Sequence, residues 1–114
     1  MSFLPVLYGL ALGDALGRPI EFMTLDSIRA RYGPRGIAEP PDPALFTDDT
    51  QMTLALAQAL VSVENDDADQ LMEAVVAQFI AWAHHPDTPG RSPGATCLRA
   101  VAALERGVHW RESG

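Results

Sequence analysis

The chain has 114 residues, 47% of them hydrophobic, 7% aromatic and 20% charged, a composition that excludes a disordered segment and suits one packed globular domain. Its formal net charge is −7 and every one of the eight basic residues is arginine, with no basic stripe, which argues against duplex nucleic acid as the main partner. Cys97 is the only cysteine, so no internal disulfide can form, and a reducing, cytoplasmic setting is expected.

The N-terminal run is apolar but has no basic flank, and Asp14 interrupts it too early for a membrane span. Residues about 4–17 read instead as a first helix with a broad apolar surface of Leu4, Leu7, Tyr8, Leu10, Ala11 and Leu12. Gly9, Gly13 and Gly17 recur every four residues along one side of it. Each glycine costs roughly 1 kcal/mol against alanine inside a helix, so the stripe predicts a compensating close approach, of a second helix or of a ligand. Pro19 then ends or kinks the segment.

A short second helix is predicted over Thr24 to Tyr32, with Thr24 as N-cap and Gly33 as the stop. The stretch "GPRGIAEPPDPALF" holds Pro34, Pro40, Pro41 and Pro43 and is neither helix nor central strand. It is a connector or a functional loop. A third helix over about 48–63 is apolar nearly all round, through Met52, Leu54, Leu56, Leu60 and Val61, which predicts a central, buried position. Asn65, Asp66 or Asp67 caps a fourth helix over about 67–84, where Leu71, Met72, Val75, Val76, Phe79, Ile80 and Ala83 follow the three-four spacing of one buried face. Ser92 and Pro93 read as cap and first position of a fifth helix with Leu98, Val101 and Ala102 inward, ended by Gly107. There is no credible strand, repeat or linker. The expected class is all-α, about five helices in a single domain over residues 1–114.

The chemistry concentrates at the start of the third helix, in "FTDDTQMTLALAQAL". Thr47 and Asp48 are good capping residues, and acidic groups in a first turn complement the helix dipole. Yet two hydroxyls and two carboxylates occupy four consecutive positions, Thr47, Asp48, Asp49 and Thr50, a surplus over what capping needs. Hard cations select such oxygens, and carboxylates near an interior need a compensating charge. Asp14 is either a polar helix residue or a further acidic group of the same site. Glu21 stands between Ile20 and Phe22 just past Pro19; it is either solvent-facing or a carboxylate placed among apolar neighbours for acid–base work. Cys97 has no histidine in an obvious pairing position and reads as a small core or near-surface residue. His84 and His85 fit a helix C-terminus better than a metal site.

Taken together, "GLALGDALGRPIEF", "FTDDTQMTLALAQAL" and "GRSPGATCLRAV" resemble, in order and spacing, the N-terminal part of the ADP-ribosylglycohydrolases, the group that includes dinitrogenase reductase-activating glycohydrolase. The resemblance runs from Tyr8 to about Arg106. It implies a compact all-helical fold with a binuclear Mg²⁺ or Mn²⁺ centre, and hydrolysis of the bond joining ADP-ribose to a protein side chain or small acceptor. It further implies that Thr47, Asp48 and Asp49 are metal ligands, that Glu21 and Asp49 are catalytic, and that Arg91, Gly94 and Thr96 lie near the ADP-ribose. A loop running into a helix N-terminus suits an anion on physical grounds as well. In the family's longer members a later glycine-rich loop and an Asp-x-Asp segment complete the site, and this chain holds neither. The expected partners are an ADP-ribosylated protein or an ADP-ribose-containing small molecule, with no membrane, and a second chain on exposed apolar helix faces. The competing reading is a non-enzymatic helical module that binds ADP-ribose or a protein.

Overall fold

The computed structural model describes residues 2–114 and contains five α-helices: α1 Leu4–Gly17, α2 Leu25–Tyr32, α3 Asp48–Ser62, α4 Ala68–Ala83 and α5 Ala95–Glu105. Three 3₁₀ turns accompany them at Arg18–Ile20, Thr88–Arg91 and Trp110–Glu112, and no strand occurs among the described residues. The fold is all-α, as the apolar spacing predicts. The residues gather into two compact units, Met1–Thr50 and Gln51–Gly114. The first turn of α3 belongs to the first unit and the rest of that helix to the second.

Local chemistry accounts for most boundaries. Thr24 adopts an extended conformation and its hydroxyl accepts from the Ser27 amide at 3.2 Å, opening α2. Gly33 ends α2 at φ 87°, a left-handed conformation that side chains resist. Asp67 caps α4 by accepting from the amides of Asp69 and Gln70 at 3.0 and 3.3 Å. His84 closes that helix, and its Nε2 lies 2.8 Å from the Glu105 carboxylate at the end of α5.

In the second unit α4 packs on α5. Val75, Trp82 and Val101 are buried there, together with Ala59 of α3. Met72, Val76, Phe79, Cys97, Leu104 and Trp110 line an apolar cavity of about 210 Å³, so Cys97 is a packing residue as its context suggests. Two polar contacts fix the end of α4. Trp82 donates its indole N–H to Gln51 at 3.0 Å, and the buried Thr88 hydroxyl donates to the Trp82 carbonyl at 2.6 Å. The second bond adds to the His85 amide, which donates to the same carbonyl at 3.1 Å, so both lone pairs of this oxygen in the last helical turn are used.

Two expectations are corrected. Ser92 and Pro93 do not open α5. Ser92 turns left-handed at φ 59° after the Thr88–Arg91 turn, and Gly94 is the N-cap. A residue before proline is kept out of the right-handed helical region, so Ser92 completes a turn and the helix starts beyond it. Nor is α3 buried: Leu54, Leu56 and Leu60 are 49%, 41% and 53% exposed, and only Ala59 is fully covered. The apolar faces of α3 exceed what this chain supplies to cover them. A Cβ added at Gly9, Gly13 or Gly17 would have no neighbour within 4 Å, so no second helix among the described residues closes on the glycine stripe of α1.

Replacing Thr88 by Val keeps the volume and removes the hydroxyl, so the Trp82 carbonyl keeps only the His85 amide as donor. Urea unfolding should show a loss of about 1–2 kcal/mol with an unchanged m value.

Candidate active site at the start of helix α3

Asp14 organises the first unit's site. It stands in the last turn of α1, where the helix dipole disfavours an anion. Its carboxylate nevertheless collects four donors from the start of α3. Oδ1 accepts from the Thr47 hydroxyl at 2.7 Å. Oδ2 accepts from the Thr47 amide at 2.8 Å, the Thr50 amide at 3.2 Å and the Thr50 hydroxyl at 2.6 Å. The Thr47 oxygen also accepts from the Asp49 amide at 3.3 Å, the bond of an N-cap residue. Thr47 and Thr50 are 3% and 5% exposed, so their hydroxyls need these partners.

A carboxylate 33 and 36 residues away therefore caps α3. Burial pushes the Asp14 carboxyl upward, but the hydrogen bonds from Thr50 and Thr47 together outweigh it and hold it below the ordinary 3.8.

This anchoring fixes the two intervening aspartates. Asp49 shares a cleft of about 330 Å³ with Gly13, Asp14, Gly17, Arg18 and Glu21. Burial and then the charges of Asp48 and Asp14 push the Asp49 carboxyl above its ordinary range. Glu21 caps the 3₁₀ turn Arg18–Ile20 and is exposed at the cleft. Gly13 and Gly17, predicted to admit a helix or a ligand, form part of the cleft wall. Sequence reasoning missed Arg18, the one cation among the residues lining the cleft. Its signal was its place within "GDALGRPIEF", between Asp14 and Glu21.

The donor set has the chemistry of a hard-cation site: a hydroxyl oxygen and adjacent carboxylates whose mutual repulsion a divalent ion offsets. Among the described residues no three His, Cys, Asp or Glu side chains converge to hold a metal. In the second unit, Arg91, Gly94 and Thr96 fall in one stretch, from the end of the Thr88–Arg91 turn to the first turn of α5. Thr96 is within 3.3 Å of the Arg99 guanidinium. Gly94 brings no side chain to the cap, and first-turn amides have no intrahelical acceptor.

Asp14→Ala strands two buried hydroxyls and two amides, and should cost about 2–4 kcal/mol in chemical denaturation. The sign with pH follows from the lowered folded-state value. The Asp14 contribution is fully present above about 3.8 and is lost as pH falls through the lower folded-state value. Asp14→Asn should therefore be less stable at neutral pH and show a flatter loss of stability on acidification, read by circular dichroism.

A sequence model of the ADP-ribosylglycohydrolase family matches residues 2–114. Among curated proteins, the chain is 35% identical over 98 residues to the ADP-ribosyl-[dinitrogen reductase] glycohydrolase of Rhodospirillum rubrum, covering 82% of this chain and 31% of that protein. It is 34% identical over 109 residues to ADP-ribosylarginine hydrolase Tri1 of Serratia proteamaculans, covering 91% and 29%. It is 32% identical over 118 residues to an uncharacterized protein of Archaeoglobus fulgidus, covering 99% and 37%. The chain thus spans about a third of the length of these relatives. No solved structure matches it significantly. With the TDDT element anchored on Asp14, an all-helical fold and a match along the whole described chain, this protein belongs to the ADP-ribosylglycohydrolase family.

Proposed function

We propose that the chain carries the first part of a metal-assisted ADP-ribosyl hydrolase site. The observation that supports this most is the Asp14 anchor, which holds Thr47 and Asp49 at the start of α3 while Asp49 and Glu21 line one cleft. In this reading Thr47, Asp48 and Asp49 contribute oxygens to Mg²⁺ or Mn²⁺, two ions in the complete site. The bound cations supply Lewis-acid polarisation and a more acidic water.

The rest is the work of the chain's own groups. Glu21, exposed at the cleft, orients or deprotonates a water there, and Asp49 shares that task as ligand and hydrogen-bond acceptor. Arg91 pairs with a pyrophosphate oxygen, and the amides that follow Gly94, with the Thr96 hydroxyl, complete the anion contact. A chain of net charge −7 repels a pyrophosphate overall, so cations at the site serve binding as well as chemistry.

The relatives' names point to ADP-ribosylated protein as the substrate class, and ADP-ribosyl-arginine is the first substrate to test. The uncovered apolar faces of α1 and α3 suit pairing with further helices, which would bring the missing ligands. Cys97 is a free thiol, and no helix among the described residues is long and apolar enough to cross a membrane; both accord with a cytoplasmic enzyme. The partial ligand shell favours one second reading, a module that binds ADP-ribose without cleaving it.

The test is release of ADP-ribose from an ADP-ribosylated arginine substrate with Mn²⁺ or Mg²⁺, using the longest form of the protein. Asp48→Ala and Asp49→Ala should each lower kcat/KM by at least about 100-fold. Absence of turnover, with ADP-ribose binding that ignores divalent ions, would overturn hydrolysis in favour of the binding module. The cation reading is checked separately by melting. Millimolar Mn²⁺ should raise the melting temperature of the wild-type chain, and Asp49→Asn should abolish the rise.

A further inference from the structure

Resting on the hydrolase reading above, we propose that Arg18 is a specificity-determining residue, a guanidinium kept in the cleft for an oxyanion of the substrate.

Arg18 follows α1 directly and opens the Arg18–Ile20 turn, where it is half-buried. It lines the cleft together with Asp14, Glu21 and Asp49. A lone cation among carboxylates is expected to pair with one of them. It does not: among the described residues the Arg18 guanidinium makes no hydrogen bond and no ion pair. Asp14 is taken up instead by the amides and hydroxyls of Thr47 and Thr50. Asp49 is pushed upward by burial, Asp48 and Asp14, with no relief from Arg18. The positive charge is therefore not spent inside the chain.

Part of the reason for a cation at this place is structural. The end of α1 is the negative pole of its dipole, which favours a positive group there. Lysine would serve that purpose equally. What a guanidinium adds is a planar fork of N–H donors that meets a phosphate or a carboxylate in two bonds at once. A fork with no internal acceptor keeps that capacity for a ligand. The neighbouring carboxylates sharpen the choice, because they repel an anion placed elsewhere in the cleft. The substrate class offers such an oxyanion from two sources. One is a phosphate of the ADP-ribosyl group, and the other is a carboxylate beside the modified residue of the protein.

The test is steady-state hydrolysis of ADP-ribosylated arginine peptides by the longest form of the protein, as wild type, Arg18→Ala and Arg18→Lys. The peptides carry either an acidic or a neutral residue beside the arginine. Free ADP-ribose serves as competitive inhibitor, and thermal melting reports stability. In Arg18→Ala the KM should rise at least about tenfold while kcat stays within about twofold, the signature of lost binding with intact chemistry. Arg18→Lys should keep the melting temperature, since the charge at the end of α1 remains, and should recover the KM only in part. A matching rise in the inhibition constant of ADP-ribose identifies the phosphate. An unchanged constant, with the KM rise confined to the acidic peptide, identifies the carboxylate.

Wild-type KM and inhibition constant in Arg18→Ala, or a fall in kcat alone, would overturn the role and leave the hydrolase reading standing. Full recovery of KM in Arg18→Lys would do the same, reducing Arg18 to a charge at a helix end. A wild-type protein with no turnover would take down the hydrolase reading and this role with it. Should Arg18→Ala fail to fold, Arg18→Lys carries the test alone. A raised KM at the wild-type melting temperature supports the role, and a wild-type KM refutes it.

Discussion

The first unit is organised around one carboxylate that accepts from four groups at the start of another helix. Asp14 sits where its own helix repels it and where the next helix needs it. The unfavourable end of the α1 dipole is outweighed by charge-assisted bonds to Thr47 and Thr50, each stronger than a neutral pair. The arrangement performs two tasks with the same atoms. It satisfies the donors of α3's first turn that solvent cannot reach, and it sets the direction in which Asp48 and Asp49 leave the backbone. A site built on the junction of two helix ends is held by short side chains and backbone, not by a flexible loop.

The electrostatics of the junction are divided. Asp14 is hydrogen-bonded until its charge is comfortable; Asp49, at the start of α3 and exposed, is left with partial desolvation and two neighbouring negative charges. Proteins tolerate such discomfort where a group has work to do. One carboxylate serves the fold, and the other is held above its ordinary range by partial desolvation and its acidic neighbours.

Elements were legible in the sequence wherever their signals were local. Thr24 and Gly33 bound α2, Asp67 opens α4 and Gly107 follows α5 at φ 87°, each by chemistry contained within a few residues. The start of α5 was misread because Ser92-Pro93 fits two motifs, a helix entry and a turn exit, and the preceding Thr88–Arg91 turn decides between them. The burial of α3 was misread because all-round apolarity reports what a helix requires, not what one chain provides. Asp14 was visible as a candidate but not as the cap of α3, since its partners lie more than thirty positions away and no periodicity links them. The TDDT element and its context were readable through family resemblance. The residues themselves left capping and cation binding side by side, and the structure shows the capping done largely by Asp14.

The glycines of α1 carry a kinetic consequence. Gly9 and Gly13, inside the helix, together weaken it by roughly 2 kcal/mol against alanine, and no neighbour lies within 4 Å of a Cβ added at either. Such a segment opens on its own far more often than the chain unfolds. When the last turn of α1 frays, Asp14 leaves with it, and the first turn of α3 loses its acceptors in the same instant. Amide protons at these two places, distant in sequence, are thereby linked through one carboxylate, and a shared opening event is the expected route of their exchange with solvent.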